Sequence, residues 1–475
     1  MNNDAILTPS TGWLLLVLFS AVWIFLGWWW GRKAKSLDGY MLAGRNVGLA
    51  LGTATAMATW VTSNTTMMAP QLALQMGLWG MIGYSLGSMG LIFFAPMAER
   101  IRALMPKGYT SGDFVRLRYG KAAWRVFLGI SIFYGLGWLI SMGMAGGILL
   151  NALTGIDYQV GMTAILVVCM VYTMLGGLYA VIGTDFIQSV LILVGIVTLA
   201  VIAYTRIGVE PVYQALLSER PGLVNLLLPA AIMFLFNNLL FGLGEIFHSN
   251  VWWSRAFAFR SGIGMPAYLM AGVFWAPVPV VAGALAFLAP ALGINVPAVD
   301  MVGPMVAAQL LGTAGAVVIF IVVFSSLASS LDSLLAATSD LVVEDVYRKH
   351  FNPSASEATL RRVAVVTILV LSVAAWLLCL PRITHLAGML AITGAFVGST
   401  IWPIAAGLYW RKTNAMGATL GMVAGSGVGL WCYFEVGWYV AALVGAAVSM
   451  LCVVVSTALR PGDFDWQQLR EEEPA

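Results

Sequence analysis

Residues 324–333 read Phe324-Ser325-Ser326-Leu327-Ala328-Ser329-Ser330-Leu331-Asp332-Ser333, a polar run in the middle of a long hydrophobic segment. Hydroxyls and a carboxylate are costly inside a bilayer, so the run predicts a face directed at a protein-lined cavity or an ion. Ser325, Ser329 and Asp332 follow i, i+4, i+7 spacing and therefore share one helical face. Oxygen ligands of this kind suit a hard cation such as sodium. The run predicts a buried cation site in a membrane protein.

The composition supports the membrane interpretation. Of the 475 residues, 60% are hydrophobic and only 9% are charged, whereas soluble proteins have about 25% charged residues. This excludes a water-soluble protein and predicts an integral membrane protein in a lipid bilayer. The first hydrophobic segment lacks a basic flank and a cleavage site, so we interpret it as a retained spanning helix. Cysteines in apolar segments, without CxxC spacing, are interpreted as small buried hydrophobic residues; they are Cys169, Cys379, Cys432 and Cys452.

Segments of about 20 apolar residues are long enough to cross the hydrocarbon core. Thirteen such segments are predicted, and they are numbered here in chain order: 11–31, 47–75, 77–98, 122–152, 160–181, 184–205, 225–253, 268–290, 304–336, 359–381, 383–409, 414–434 and 437–459. The longest predicted loops, 99–121 and 342–359, are too short for a soluble domain. The sequence therefore predicts one transmembrane domain over residues 1–475.

The basic residues predict the orientation of the chain. If the N-terminus is outside, all but three of the 24 Lys and Arg residues fall on the inner side, the exceptions being Arg206, Arg220 and Arg382. Arg255 is assigned to an inner loop after the seventh segment. Because cytoplasmic loops carry an excess of Lys and Arg, we predict an odd number of helices and a cytoplasmic C-terminus. The expected location is the plasma membrane, or the inner membrane of a bacterium.

Two of the predicted segments are polar or rich in glycine near their middle. The second contains residues 53–66 (TATAMATWVTSNTT), and the seventh contains Asn237-Asn238, residues 242–245 (GLGE) and residues 248–250 (HSN). Breaks at matching positions of two halves are typical of transporters with inverted repeats, in which unwound carbonyls coordinate sodium and helix ends bind substrate. Any single Ser or Thr can instead bond its own helix or a neighbouring one. The combined set favours a transport site.

The chain resembles the sodium:solute symporter family, which includes bacterial sodium/proline and sodium/galactose symporters. The resemblance covers nearly the whole length and rests on residues 40–45 (YMLAGR), 175–188 (LGGLYAVIGTDFIQ), 325–329 (SSLAS) and 344–347 (EDVY). It implies an all-α integral membrane protein of about 13 transmembrane helices with a LeuT-type core, in which helices 2 and 7 are broken. The expected parts are an extra N-terminal helix (11–31), a first repeat (47–205), a second repeat (225–409) and two C-terminal helices (414–459).

The family resemblance also implies where the ligands bind. The main sodium site would use the carbonyl oxygens of Ala58, Val61 and Val322 and the hydroxyls of Ser325 and Ser326. Some members hold a second sodium, for which Asp185 and the hydroxyls of Ser325 and Ser329 match the ligands; Ala328 replaces another hydroxyl, so Asp185 could serve only as a staging site on the exit path. The substrate site is expected beside the main ion, lined by Trp60, Thr62, Asn64, Thr65, Tyr84, Ser249 and Trp252.

Two acidic residues are weighed separately. Glu245 lies at the interruption of the seventh segment, where it could carry a proton, bind a cationic substrate or accept hydrogen bonds from freed backbone groups. We include it in the predicted substrate site. His248 is interpreted as its polar neighbour. Asp332 lies inward of the predicted sodium site, and we expect it to be a solvated charge at the inner end of the ninth helix.

The sequence predicts a secondary active symporter that imports a small polar organic solute on a sodium gradient. The predicted lining contains no Lys or Arg, which disfavours a substrate carboxylate held by an ion pair. Residues 60–64 (WVTSN) and 252–255 (WWSR) are similar to the urea-transporting branch, so urea or a similar small amide is favoured over amino acids, monocarboxylates and sugars.

The alternatives are a proton-coupled symporter that uses Glu245 and, less favoured, a membrane sensor or a channel-like protein. No nucleophile–base pair or HExxH signature predicts an enzyme. Neither a nucleic acid nor an obligatory protein partner is expected.

Overall fold

The computed structural model describes residues 6–32 and 36–471, and the regular structure in these ranges is helical. Lys33 and Lys35, which the orientation prediction assigns to the first inner loop, lie outside the described residues. The helices are α1 (Pro9–Gly31), α2 (Leu37–Leu42), α3 (Leu49–Trp60), α4 (Ala69–Met76), α5 (Leu78–Ser85), α6 (Met89–Leu104), α7 (Ser111–Thr154), α8 (Tyr158–Ile207), α9 (Val209–Glu219), α10 (Pro229–His248), α11 (Asn250–Ala258), α12 (Gly264–Trp275), α13 (Pro277–Ala286), α14 (Leu288–Ala291), α15 (Val302–Asp340), α16 (Glu357–Cys379), α17 (Leu386–Tyr409), α18 (Ala415–Glu435), α19 (Ala441–Leu459) and α20 (Gln468–Glu471).

Within the described ranges, 11 helical stretches are long and apolar enough to cross a membrane, and they correspond one to one to the predicted segments other than the second and the fifth. The second predicted segment is divided at Val61 into α3 and α4, each too short to span alone. The fifth corresponds to the shorter apolar stretch Tyr158–Val171. The all-helical, multi-pass class is confirmed, whereas the number of thirteen stays a prediction.

Glycines divide the longest helices. The 50 residues of α8 would extend about 75 Å as one straight helix, far more than a bilayer. Gly177, with φ 56° and ψ −160°, interrupts it within the fifth predicted segment, four residues before the predicted end of that segment. A Cβ atom there would lie 2.5 Å from the carbonyl oxygen of Tyr40. Both the positive φ and this close approach therefore require glycine.

The helices extend into both regions that were predicted as the longest loops. α6 continues to Leu104 and α7 already begins at Ser111, and a π-helical segment, Leu341–Phe351, follows α15 directly. A capping box at Thr110 fixes the start of α7. The loop prediction was wrong because hydrophobicity marks only the lipid-length part of a helix, whereas polar turns continue it beyond the bilayer.

The outer helices present apolar side chains and the inner ones pack closely. Leu14 on α1, Val194 on α8 and Leu451 on α19 are 58%, 62% and 59% exposed, as expected of a surface covered by lipid. α8 packs on α15, and α10 packs on α6 and α17. At one crossing, a Cβ atom on Gly242 of α10 would lie 2.7 Å from the Cα of Gly87. Small residues allow this close approach of backbones.

Two helices are interrupted where the sequence is polar. α3 ends at Trp60, and Val61 leaves helical geometry with ψ 73° before a π-helical segment, Asn64–Met68, leads into α4. α10 ends at His248, and Ser249 is extended, with φ −69° and ψ 130°, before α11. An isolated β-bridge joins Val47, just before α3, to Phe259, just after α11. The two interrupted helices are therefore tied together at one end.

Candidate transport site

Side-chain hydrogen bonds stabilise the interruption after α3. Thr62 and Thr65 bond reciprocally, because the Thr65 N–H donates to Thr62 Oγ1 at 3.2 Å and the Thr62 N–H donates to Thr65 Oγ1 at 3.3 Å. The carbonyl oxygen of Trp60 accepts from Thr65 Oγ1 at 2.9 Å and from Trp275 Nε1 at 2.6 Å. Backbone groups released by the break are thus paired with hydroxyl and indole groups, as buried backbone requires.

The serine-rich part of α15 lies directly against this interruption. Ser329 Oγ donates to the Ala58 carbonyl oxygen at 3.0 Å, and Ser330 Oγ donates to the Thr59 carbonyl oxygen at 2.9 Å. The hydroxyls of Ser326 and Thr66 are 3.0 Å apart. The polar face that the sequence predicts therefore contacts the break in the other helix.

The five residues predicted for the main sodium site lie on these two contacting elements and are fully buried; they are Ala58, Val61, Val322, Ser325 and Ser326. In the described part of the chain, the Ser325 hydroxyl has no hydrogen-bond partner. The Thr65 N–H, which would bond the Val61 carbonyl in a regular helix, bonds Thr62 Oγ1 instead. Carbonyl and hydroxyl oxygens next to an unpartnered hydroxyl suit a hard cation. Their role as sodium ligands stays a prediction.

Glu245 is in the last turn of α10 and contacts one member of an aromatic cluster. Glu245 is only 3% exposed, and its Oε1 accepts a hydrogen bond from Trp60 Nε1 at 3.0 Å. The Trp60 ring stacks on Trp275 with centroids 4.5 Å apart and meets Trp252 edge-on at 5.8 Å. Tyr84 meets Trp275 at 5.9 Å. One role predicted for Glu245 was to accept hydrogen bonds from backbone groups freed at the break. The observed donor to Oε1 is instead the indole N–H of Trp60.

The other predicted substrate residues lie around the two breaks and have partners of their own. Asn64 accepts from the Ser141 hydroxyl at 2.8 Å, while its Nδ2 has no partner among the described residues. Ser249 caps the start of α11 by accepting from the Val251 N–H at 3.4 Å. The indole N–H of Trp252 is buried and likewise unpartnered within the described ranges. Two of the predicted substrate residues therefore carry a buried donor that is unpartnered among the described residues.

Arg255 forms a second polar cluster, one helical turn beyond Trp252. It is fully buried. Its Nη2 donates to Thr59 Oγ1 at 2.6 Å and Ser333 Oγ at 2.7 Å, and lies 3.4 Å from Asp185 Oδ2. Its Nε donates to Thr55 Oγ1 at 3.0 Å. The assignment of Arg255 to a loop was wrong, because α11 continues to Ala258 and directs the guanidinium into the protein.

The prediction for Asp332 was also wrong. The residue is fully buried, and its Oδ1 accepts from the Ser333 N–H at 2.5 Å. α15 continues in helical form well past this position, so neighbouring helices rather than solvent surround it. His248 Nδ1 lies 2.7 Å from the Gly244 carbonyl oxygen, while its Nε2 has no partner among the described residues, so its interpretation as a polar neighbour stays a prediction.

Sequence reasoning missed Arg255, Trp275 and Tyr134 as members of these clusters. Trp275 supplies both the stacked ring and the hydrogen bond to the break, and Tyr134 lies against the carboxyl group of Glu245. Residues 252–255 could have predicted that Arg255 faces the site, because a helical face that bears Trp252 also bears Arg255 three residues later. Nothing in the pattern of α12 or α7 distinguishes the other two from aromatic core residues.

Interrupted helices, a buried polar site between them and a lipid-facing exterior define a membrane transporter of the LeuT-type fold. The model of the sodium:solute symporter family matches residues 40–425. The chain therefore belongs to the sodium:solute symporter family.

Relatives and solved structures agree with this assignment. The chain is 28% identical to the urea-proton symporter DUR3 of Oryza sativa subsp. japonica, over 98% of this chain and 73% of that protein. It is 26% identical to the osmoregulated proline transporter OpuE of Bacillus subtilis, over 86% of each. A substrate-bound, outward-open Na⁺-coupled sialic acid symporter superposes with a TM-score of 0.78 and 18% identity, over 95% of this chain and 99% of that one.

Proposed function

We propose that this protein is a secondary active symporter that imports urea, or a similar small amide, on the sodium gradient. The observation that carries the proposal is Glu245, a buried carboxyl group that bonds the indole of Trp60, whose ring in turn contacts Trp252 and Trp275. Among the matched relatives, one is named for urea and another for proline, so the choice between these solutes depends on the chemistry of this pocket.

Urea fits the pocket better than proline on chemical grounds. Urea is planar, with four N–H donors and one carbonyl acceptor, so it can donate to a carboxylate while its face stacks on an indole ring. Its carbonyl oxygen can accept from a buried donor that is unpartnered among the described residues, the indole N–H of Trp252, whose ring meets Trp60 edge-on. Proline carries a carboxylate of its own, which Glu245 would repel in a medium of low dielectric constant.

We propose that sodium binds between the break after α3 and the serines of α15. Ser325, with its buried and unpartnered hydroxyl, and the Val61 carbonyl would be among its ligands. Sodium would stabilise the substrate-receptive form of the break, and by linkage the solute would tighten sodium binding by the same factor. With the N-terminus outside and a negative interior, each transported charge contributes about 2.3 kcal/mol per 100 mV.

Proton coupling is the second candidate, and two observations favour it. A matched relative is named a urea-proton symporter, and Glu245 is a buried carboxyl group at an interrupted helix. In this case Glu245 would carry the coupling ion rather than bind the solute.

Uptake of radiolabelled urea into proteoliposomes distinguishes these candidates. The purified full chain is reconstituted, and an inward sodium gradient and an inward proton gradient are applied separately at a fixed membrane potential. Sodium-driven accumulation that competes with thiourea and acetamide, but not with proline, is the expected result. Accumulation driven by the proton gradient alone would overturn sodium coupling, and accumulation of proline in place of urea would overturn the solute assignment.

A further inference from the structure

The second cation position that the family resemblance implies does not fit an added ion in this chain. Its expected ligands were Asp185 and hydroxyls of α15, of which Ser325 and Ser329 match and Ala328 does not; Ser325 is the ligand proposed for the main site. Ser329 Oγ donates to the Ala58 carbonyl oxygen instead. Asp185 faces the guanidinium of Arg255, with Nη2 and Oδ2 3.4 Å apart, and both side chains are fully buried.

The hydroxyls around Asp185 are committed to the same pair. Thr55 Oγ1 donates to Asp185 Oδ2 at 2.5 Å and accepts from Arg255 Nε. Thr59 Oγ1 donates to the same oxygen at 3.3 Å and accepts from Arg255 Nη2. Ser333 Oγ accepts from Arg255 and donates to the Ser329 carbonyl oxygen at 2.7 Å. Each of the three hydroxyls therefore donates a hydrogen bond to Asp185 or to a carbonyl oxygen. Each also accepts a hydrogen bond from the guanidinium of Arg255.

The charges in this cluster balance without an ion. A buried carboxylate is stable only with a positive partner and hydrogen bonds, and the guanidinium supplies both. A sodium ion at the same place would be repelled by the guanidinium and would have to displace it from three hydroxyls. One carboxylate oxygen, Asp185 Oδ1, has no partner in the described ranges, but it does not by itself provide a coordination shell for a hard cation.

We infer that Arg255 is a tethered substitute for a second coupling cation, so that this transporter moves one sodium ion with each solute molecule. Arg255 is thereby a positioning residue that sets the ion stoichiometry. The inference rests on the proposed sodium coupling, and it concerns a position separate from the proposed main site.

Direct sodium binding and the coupling ratio test the inference. Binding of radiolabelled sodium to the purified full chain is counted at saturation, and the sodium-to-urea ratio is obtained from the membrane potential that cancels net urea flux in proteoliposomes. We expect one ion by both methods, and a Hill coefficient of one for sodium. Two ions in the wild-type protein would overturn the inference. If urea uptake did not depend on sodium at all, the proposed function would fail before the stoichiometry could be measured, so the two failures are distinguishable.

Variants assign the effect to Arg255. Ala328→Ser restores the missing hydroxyl and should still bind one ion, because the guanidinium remains. Ala328→Ser combined with Arg255→Ala should bind two, and Arg255→Lys with Ala328→Ser should return to one. Arg260→Ala is the matched control, because this exposed arginine follows the same helix. Two ions in Ala328→Ser alone, or one ion in a double variant that elutes as a folded monodisperse protein, would contradict the assignment.

Discussion

Replacement of Glu245 by glutamine separates the solute-binding role of this residue from its role in the fold. Glutamine has the same shape and keeps an oxygen that can accept from Trp60 Nε1, now at 3.0 Å. An ionised carboxylate without a positive partner is costly to bury, and its exchange for an amide of similar volume removes that cost. The thermal unfolding temperature of Glu245→Gln should therefore match or exceed that of the wild-type protein.

The same exchange should weaken urea binding strongly. A hydrogen bond to a charged group contributes about 1.5–3 kcal/mol, and each 1.4 kcal/mol is about a factor of ten in affinity. Loss of one such bond between a urea N–H and the carboxylate predicts a KM for urea about 10- to 100-fold higher. The change should appear in KM at saturating sodium rather than in the coupling ratio.

Initial rates of radiolabelled urea uptake in proteoliposomes measure this KM. Glu245→Asp, which keeps the charge but shortens the side chain, should lie between the wild-type protein and Glu245→Gln. Glu435→Gln, a change at an exposed residue at the end of α18, is the control and should leave KM unchanged. An unaltered KM in Glu245→Gln would refute the binding role. Loss of a pH-driven component with unaltered KM would instead support the proton carrier.

Three further predictions follow from other parts of the site and fold. Alanine at both Ser325 and Ser326 should abolish sodium-driven urea accumulation while leaving the protein folded, and unchanged accumulation would exclude these hydroxyls as ligands. Trp275→Phe keeps the stacked ring but removes the indole bond to the Trp60 carbonyl oxygen, so it should cost about 1 kcal/mol of stability, measured by thermal unfolding. Gly242→Ala should destabilise the protein by about 1–3 kcal/mol through overpacking at a close helix crossing, whereas Gly427→Ala, where a Cβ atom meets open space, should leave the unfolding temperature unchanged.

The sequence predicts the fold class because hydrophobicity and the positions of glycine are local properties of the chain. The spans that bind lipid are continuous in sequence, so most of them can be located from the length of an apolar run, and 11 such helical stretches lie in the described ranges. Their ends are less predictable, because α7 begins at Ser111, well before the hydrophobic part of the helix. Capping by Thr110 and the contacts of Asp345 with Thr110 and Trp124 hold these polar turns, and such contacts join residues more than 200 positions apart.

The site is predictable where a polar group stands in an apolar background, and not where its meaning depends on a partner. The serines of α15 and Glu245 stand out because no lipid-facing helix would contain them. Arg255 was assigned to a loop, since an arginine just after a hydrophobic segment is typical of a cytoplasmic loop. Only the three-dimensional contact with Asp185 identifies it as buried. The same argument explains why ion stoichiometry cannot be read from Asp185 alone. A carboxylate that the sequence suggests as an ion ligand can be neutralised by an arginine from another helix, and the structure, not the motif, decides which cation it meets.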